Sequence, residues 1–210
     1  MFRNKKSIID EANISTARLE ALTDSIFAVA MTLLILDVHL PVITGTISSD
    51  SLWQGLLAIL PKLLSFAISF IILGMFWVAH HTEFHYIEKL DHKIIWLNIF
   101  YLLFVCAVPF SAGLLGSYAD NQVAIIVYGF NLMILVLIHF AMWQHASEHK
   151  DLMVKDLDVR INKLVSRMTF FAVVGYLAAI LFSFWSREAA LIIYAIVPLP
   201  YIFGWTYKLV

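Results

Sequence analysis

The stretch Arg18-Leu-Glu-Ala-Leu-Thr-Asp24-Ser-Ile-Phe-Ala-Val29-Ala-Met-Thr32-Leu-Leu-Ile-Leu36-Asp37-Val-His39-Leu40 decides how this chain is read. Its uncharged centre, Ser25–Leu36, has 12 residues. A helix needs roughly 20 to cross a hydrocarbon core about 30 Å thick. Extended from Arg18 to Leu40 the segment has 23 residues and would reach about 35 Å at about 1.5 Å per residue. That extension brings in Glu20, Asp24 and Asp37, and charges at membrane depth must face protein or water. The first helix is therefore expected inside an assembly, with more apolar helices between it and lipid. Such a placement points to a pore.

The rest of the chain agrees with a membrane location. Of its 210 residues 61% are hydrophobic, only 14 are Lys or Arg and 15 Asp or Glu, and the mean hydropathy is +0.85. Ordinary globular chains are about half apolar and about a quarter charged, so a water-facing fold of this length cannot hide so much apolar surface. The net charge of −1 and the lack of a basic block give no reason to expect a nucleic-acid partner. Cys106 is the sole cysteine, which excludes an intrachain disulfide and a cysteine-based metal site. Met1–Arg18 is charged throughout and has no apolar h-region, so it is expected to be a retained cytoplasmic tail, not a cleaved signal.

Six spans are expected, at about Arg18–Leu40, Leu60–His81, Ile94–Gly116, Val123–Ala146, Leu164–Trp185 and Ala189–Tyr207. The fold class is an all-α membrane protein: a tail, 1–17, followed by a single six-helix domain, 18–210. Basic residues set its orientation, because cytoplasmic loops carry the excess of Lys and Arg. Arg3, Lys5, Lys6 and Arg18, then Lys89 and Lys93, then Lys150, Lys155, Arg160, Lys163 and Arg167, and finally Lys208 all fall on one side; only Lys62 and Arg187 do not. Both termini are thus expected in the cytoplasm. Pro61 suits the first turn of the second span and Lys62 can snorkel to the outer interface. Leu52–Ile59, with Trp53, reads as an interfacial segment.

On a helix, Leu22, Ser25, Val29, Thr32, Leu36 and His39 recur at spacings of three and four and form one longitudinal stripe. Thr23 and Asp24 lie about 120° and about 140° from Val29 on the wheel, so they are expected to face neighbouring helices. The stripe itself reads either as a packed seam within the bundle or as the lining of a pore.

The run Arg18-Leu-Glu-Ala-Leu22-Thr23-Asp24 resembles the first-helix signature of the transmembrane protein 175 family, Arg-x-x-x-Phe-Ser-Asp. Arg18 and Asp24 match, while Leu22 stands for the phenylalanine and Thr23 for the serine. Trp77-Val-Ala-His80-His81, Asn98 and Val108-Pro109-Phe110 are also similar to that family's pattern, so the resemblance covers about the first 116 residues. It implies a potassium-selective cation channel without a re-entrant filter loop, with K⁺ as the permeant ion and no cofactor. A chain with one six-helix unit would assemble as a homotetramer in a prokaryotic plasma membrane, the first helix of each subunit lining the pore. The family's narrow point falls five positions after the signature aspartate, at Val29, with further layers at Thr32 and Leu36. Arg18, Leu22, Thr23, Asp24, Trp77, His80, His81 and Asn98 would form the signature and its interhelical network.

Hydrophobic constrictions gate by dewetting, and the Val29 ring is expected to be the innermost. Valine leaves a wider neck than isoleucine, which suggests weaker K⁺/Na⁺ discrimination. Between Leu22 and Leu36 the stripe carries no carboxylate, which argues against a calcium filter. Other readings compete with the channel. His81/His85 and His145/His149 have the four-residue spacing of helical metal ligands, but too few histidines fit the boxes of membrane di-iron enzymes. His139 reads as a satisfied interhelical histidine. A six-helix secondary transporter for a cation or metal is the stronger rival, although no internal repeat is evident. Val174-Gly175-Tyr176 resembles a filter triplet but lies mid-helix, which marks it as packing. No enzymatic site is expected.

Overall fold

The computed structural model describes residues 15–43, 47–154 and 158–203. Arg3, Lys5, Lys6, Lys155, Lys208 and the carboxyl end of the sixth expected span lie outside them. Among the described residues five helices are long and apolar enough to cross a membrane. In order the chain forms α1 (Thr16–Leu33), continued by a 3₁₀ turn (Leu34–Asp37), α2 (Ser49–Ala58), α3 (Leu60–Phe84), α4 (His92–Ser117), α5 (Gln122–Glu148), α6 (Val159–Phe182), α7 (Arg187–Ile196) and α8 (Leu199–Ile202).

Side-chain caps fix most of these starts. Asp91 accepts from the Ile94 amide at 2.8 Å, Asn121 from Val123 at 2.9 Å, and Asp158 from Arg160 at 2.8 Å. Each satisfies an amide that a helix start leaves without an internal partner. Ser48 and Ser51 bond reciprocally at the start of α2, the expected interfacial segment, which forms a short helix of its own. Pro61 does sit in the first turn of α3.

Two sequence expectations need correction. The first span stops short of Leu40: its last turn tightens into the 3₁₀ form and Val38 leaves helical geometry. The sixth span is not one helix. Pro198 and Pro200 each lack an amide proton, and the helix breaks between Ile196 and Leu199 into α7 and α8.

The centre of the bundle is α4 and α5, which pack on each other, on α3 and on α6. Val105, Leu132, Leu135 and Trp143 are fully buried there. Lipid-facing helices gain little from apolar burial, so small residues and hydrogen bonds must select the contacts. Accordingly Ser65 Oγ donates to the Ala112 carbonyl at 2.7 Å, Asn131 Nδ2 to Ser111 Oγ at 3.1 Å, and Tyr194 to the Ile125 carbonyl at 2.9 Å. At Gly175 a β-carbon would come 2.5 Å from Val197 Cγ2, which explains the glycine of the Val174–Tyr176 triplet as close packing. At one end of the bundle the α3–α4 and α5–α6 connections clasp: Glu88 N donates to the Leu152 carbonyl at 2.8 Å and Val154 N to the Tyr86 carbonyl at 2.9 Å. These are the two long basic connections of the orientation argument, and they meet on one side.

Candidate pore face and its supporting network

The first span lies at the margin of the bundle, packed on α3 and α4. Leu19, Thr23, Phe27, Ala30 and Leu34 make its buried face, the spacing of one helical stripe. The other stripe, Leu22, Ser25, Val29, Thr32 and Leu36, is exposed, with Val29 at 56% and Leu36 at 67%. A seam packed within the subunit is thus not what this stripe forms. Within the chain α4 and α5 fill the interior, and α1 turns one whole face outward.

The hydroxyls on that face are oriented by their own helix. Thr32 Oγ1 donates to the Val29 carbonyl at 2.8 Å and Ser25 Oγ to the Ala21 carbonyl at 2.7 Å. With each proton engaged on the backbone, what the oxygens offer outward is their lone pairs. That polarity suits a cation.

Behind this face the signature residues come together. Trp77 Nε1 donates to Asp24 Oδ1 at 2.8 Å, and the indole stacks on His81 with ring centroids 5.9 Å apart. One layer deeper, Asn98 Nδ2 donates to Thr23 Oγ1 at 3.1 Å while its Oδ1 lies 2.8 Å from His80 Nε2. Thr23 Oγ1 in turn donates to the Leu19 carbonyl at 3.0 Å. The chain Leu19–Thr23–Asn98–His80 links α1, α4 and α3 and is almost fully buried. Arg18 stands apart: it is exposed at the start of α1, and its side chain joins none of these bonds.

The network extends to four residues the sequence had not joined: Phe84, Tyr101, His139 and Glu83. His80 stacks between Phe84 and Tyr101, with ring centroids 4.1 and 5.7 Å away. Tyr101 stacks on His139 at 5.4 Å. His139 Nε2 lies 3.2 Å from Glu83 Oε2, and both side chains are about nine-tenths buried. Glu83 went unnoticed because the second span was expected to end at His81, which left it in a cytoplasmic connection. Its three-residue spacing from His80, on one face, was the available signal.

The histidine pairs separate. His81 and His85 are exposed at the end of α3, whereas His145 Nε2 sits 2.6 Å from Asp91 Oδ2 and its ring meets that of His149 in a tilted contact, 4.3 Å between centroids. Burial works against the Asp91 charge, but the bonds from His145 and the Ile94 amide, with the nearby His145 and His149, outweigh it and hold the carboxyl below its ordinary value. Among the described residues no group of three or more His, Cys, Asp or Glu is placed to hold a metal ion.

Five apolar spans, a polar network sealed between three of them and a first helix with one face turned out define a multi-pass α-helical membrane protein. The model of the family described as the endosomal/lysosomal potassium channel TMEM175 matches residues 18–109, the region that carries the network and the exposed stripe. A potassium channel of Streptomyces collinus is 33% identical over 158 residues, 73% of each chain. A potassium channel of Chamaesiphon minutus is 30% identical and covers 80% of this chain and 84% of its own. The crystal structure of a lysosomal potassium-selective channel TMEM175 homolog from Chamaesiphon minutus superposes with a TM-score of 0.76 at 26% identity, over 90% of this chain and 96% of the other. This chain belongs to the TMEM175 potassium channel family. The relatives are channels, so the transporter reading is not favoured.

Proposed function

We propose that the chain is a passive, K⁺-selective channel that acts as a homotetramer, with the outward face of α1 from each subunit lining one central pore. Val29 forms the narrowest ring and Thr32 and Leu36 the next layers, without a re-entrant filter loop. The observation that carries this reading is the division of α1: one face is packed into its subunit, while the other combines exposed valine and leucine with hydroxyls whose lone pairs point away from the bundle. The acids of this helix lie off that face, Asp24 held by Trp77 and Asp37 against Gly113, so the stripe presents only apolar side chains and hydroxyls. Four such faces around an axis leave a pore with apolar rings that resist wetting when narrow and conduct when the helices move apart. Four Thr32 hydroxyls beside the neck can replace part of the water lost by a permeating ion. The names of the bacterial relatives support K⁺ as that ion.

The distribution of Lys and Arg favours both termini in the cytoplasm, and the bacterial relatives favour a prokaryotic plasma membrane. Potassium efflux from liposomes containing the purified protein, run beside sodium-loaded vesicles and a Val29→Trp variant, tests the proposal. K⁺ flux should exceed Na⁺ flux, and the tryptophan ring should block both. Absence of passive flux under every condition would overturn it.

A further inference from the structure

A lateral crevice of about 780 Å³ lies between α3, the start of α6 and α8, away from the outward face of α1. Its walls are mainly apolar and aromatic: Trp77, Tyr86 and Trp143 line it, with Met31 of α1 on one side and Val165 of α6 on the other. One acid, Glu83, opens onto it. The Glu83 side chain is 11% exposed, and among the described residues its carboxylate has a single charge-compensating neighbour, His139 at 3.2 Å, which carries charge only when protonated. No hydrogen bond to the carboxylate accompanies that contact. A carboxyl so enclosed is disfavoured as a bare anion, and a cationic donor would supply the partner that its charged form lacks.

We propose that this crevice is a binding site for a small hydrophobic primary amine, a single ammonium on a compact apolar body. The ammonium docks on Glu83 and the apolar body fills the space against Trp143 and Val165. Shape and charge select the class. The apolar walls reject a polyamine, whose further charges would find no partner. A phospholipid bearing an ethanolamine headgroup fits less well, because its ammonium could dock only by bringing the phosphate against the same carboxylate, like charge against like. A neutral molecule of the same shape would fill the volume and leave Glu83 as it is. Because Trp77 and Met31 belong to the wall, and Trp77 holds Asp24 of α1, an occupant touches the mounting of the first helix from outside the stripe.

The probe is 1-adamantylamine, with 1-adamantanol as its neutral isostere, and the readout is thermal unfolding of the full chain in nanodiscs of phosphatidylcholine. The amine should raise the midpoint saturably, with an affinity at least about tenfold above that of the alcohol, as expected for a desolvated charge pair. Glu83→Gln should remove the preference for the amine. Val165→Trp keeps the acid but fills the crevice, and should weaken the amine and the alcohol alike. Equal affinities for amine and alcohol, an unaltered preference in Glu83→Gln, or indifference to Val165→Trp would each overturn the site. Protection by phosphatidylethanolamine nanodiscs with no response to the amine would assign the crevice to lipid and overturn it too. The readout is binding, so it stands apart from the flux test of the pore.

Discussion

The indole nitrogen of Trp77 donates to Asp24 Oδ1 over 2.8 Å, fastening α3 to α1 at the point where α1 turns its other face away from the subunit. The bond joins an indole N–H to a carboxylate, the charge-assisted kind, at an exposed position of the chain. It fixes the rotation of α1 about its axis, and with it which residues form the outward stripe.

Trp77→Phe keeps the ring but removes the donor. A hydrogen bond to a charged group contributes about 1.5–3 kcal/mol, so the variant should unfold at lower temperature and yield fewer tetramers on size-exclusion chromatography in mild detergent. Asp24→Asn, which keeps an acceptor without the charge, should show a smaller loss in the same assay. Tetramers of normal yield and stability in both variants would mean that Asp24 is merely solvated.

The second layer makes a sharper demand. Asn98 satisfies Thr23 and His80 at once, and all three are buried. Asn98→Ala strands the His80 ring nitrogen, at about 1–3 kcal/mol, and takes a donor from Thr23, whose own bond to the Leu19 carbonyl remains. Chemical unfolding followed by tryptophan fluorescence should show a loss larger than that of Trp77→Phe. A loss under about 1 kcal/mol would show that water or a side-chain shift replaces the asparagine.

The sequence made the outward stripe and the Thr23–Asp24 face legible because both follow from helical spacing alone, and spacing survives any packing. The partners of those residues were named as a set, Trp77, His80, His81 and Asn98, but not as pairs. Which indole meets which carboxylate depends on how far each helix is shifted along its neighbour, and periodicity carries no such information. Glu83 was missed for a related reason: hydropathy ends α3 at His81, while the backbone continues to Phe84 because the buried pairing with His139 lets an acid remain inside the helix. The sixth span failed on Pro198 and Pro200, which hydropathy counts as neutral and which the hydrogen-bond ladder cannot tolerate.

At the clasped end, Asp91 carries a pH signature. Its carboxyl sits below the ordinary 3.8 in the fold, so the native state binds fewer protons than the unfolded chain as the pH falls toward that range. The stabilisation is therefore complete above the unfolded value and is lost as pH falls through the folded one. Asp91→Asn keeps an acceptor for the Ile94 amide but has no charge to titrate. Thermal unfolding between about pH 6 and about pH 3 should fall less steeply in the variant than in the wild type. Parallel curves would remove the His145–Asp91 pair from the account of acid stability.

Gly113 in α4 is where the far end of the first span is seated. A β-carbon there would come 2.9 Å from Cγ and Oδ2 of Asp37, so even a methyl must displace the carboxyl that closes the 3₁₀ turn. Gly113→Ala should cost about 1–3 kcal/mol, the range for overfilling a close contact, and, if α1 lines the pore as proposed, should disturb flux. Gly113→Ala with wild-type stability and flux would show that Asp37 can swing aside freely.

The neck provides the most direct test of selectivity. Val29 is exposed on the outward stripe, so replacing it by isoleucine adds one methylene to each subunit without entering the packed face of α1. Stability should therefore stay within about 0.5 kcal/mol of the wild type, as for a surface position. If four copies of residue 29 surround the ion path, the added bulk narrows the apolar ring, raises the cost of wetting it, and penalises the more strongly hydrated Na⁺ more than K⁺. Liposome flux should then show a lower Na⁺ rate and a higher K⁺/Na⁺ ratio in Val29→Ile. An unchanged ratio at unchanged stability would place the narrow point elsewhere on the stripe, with Leu36 the next position to test.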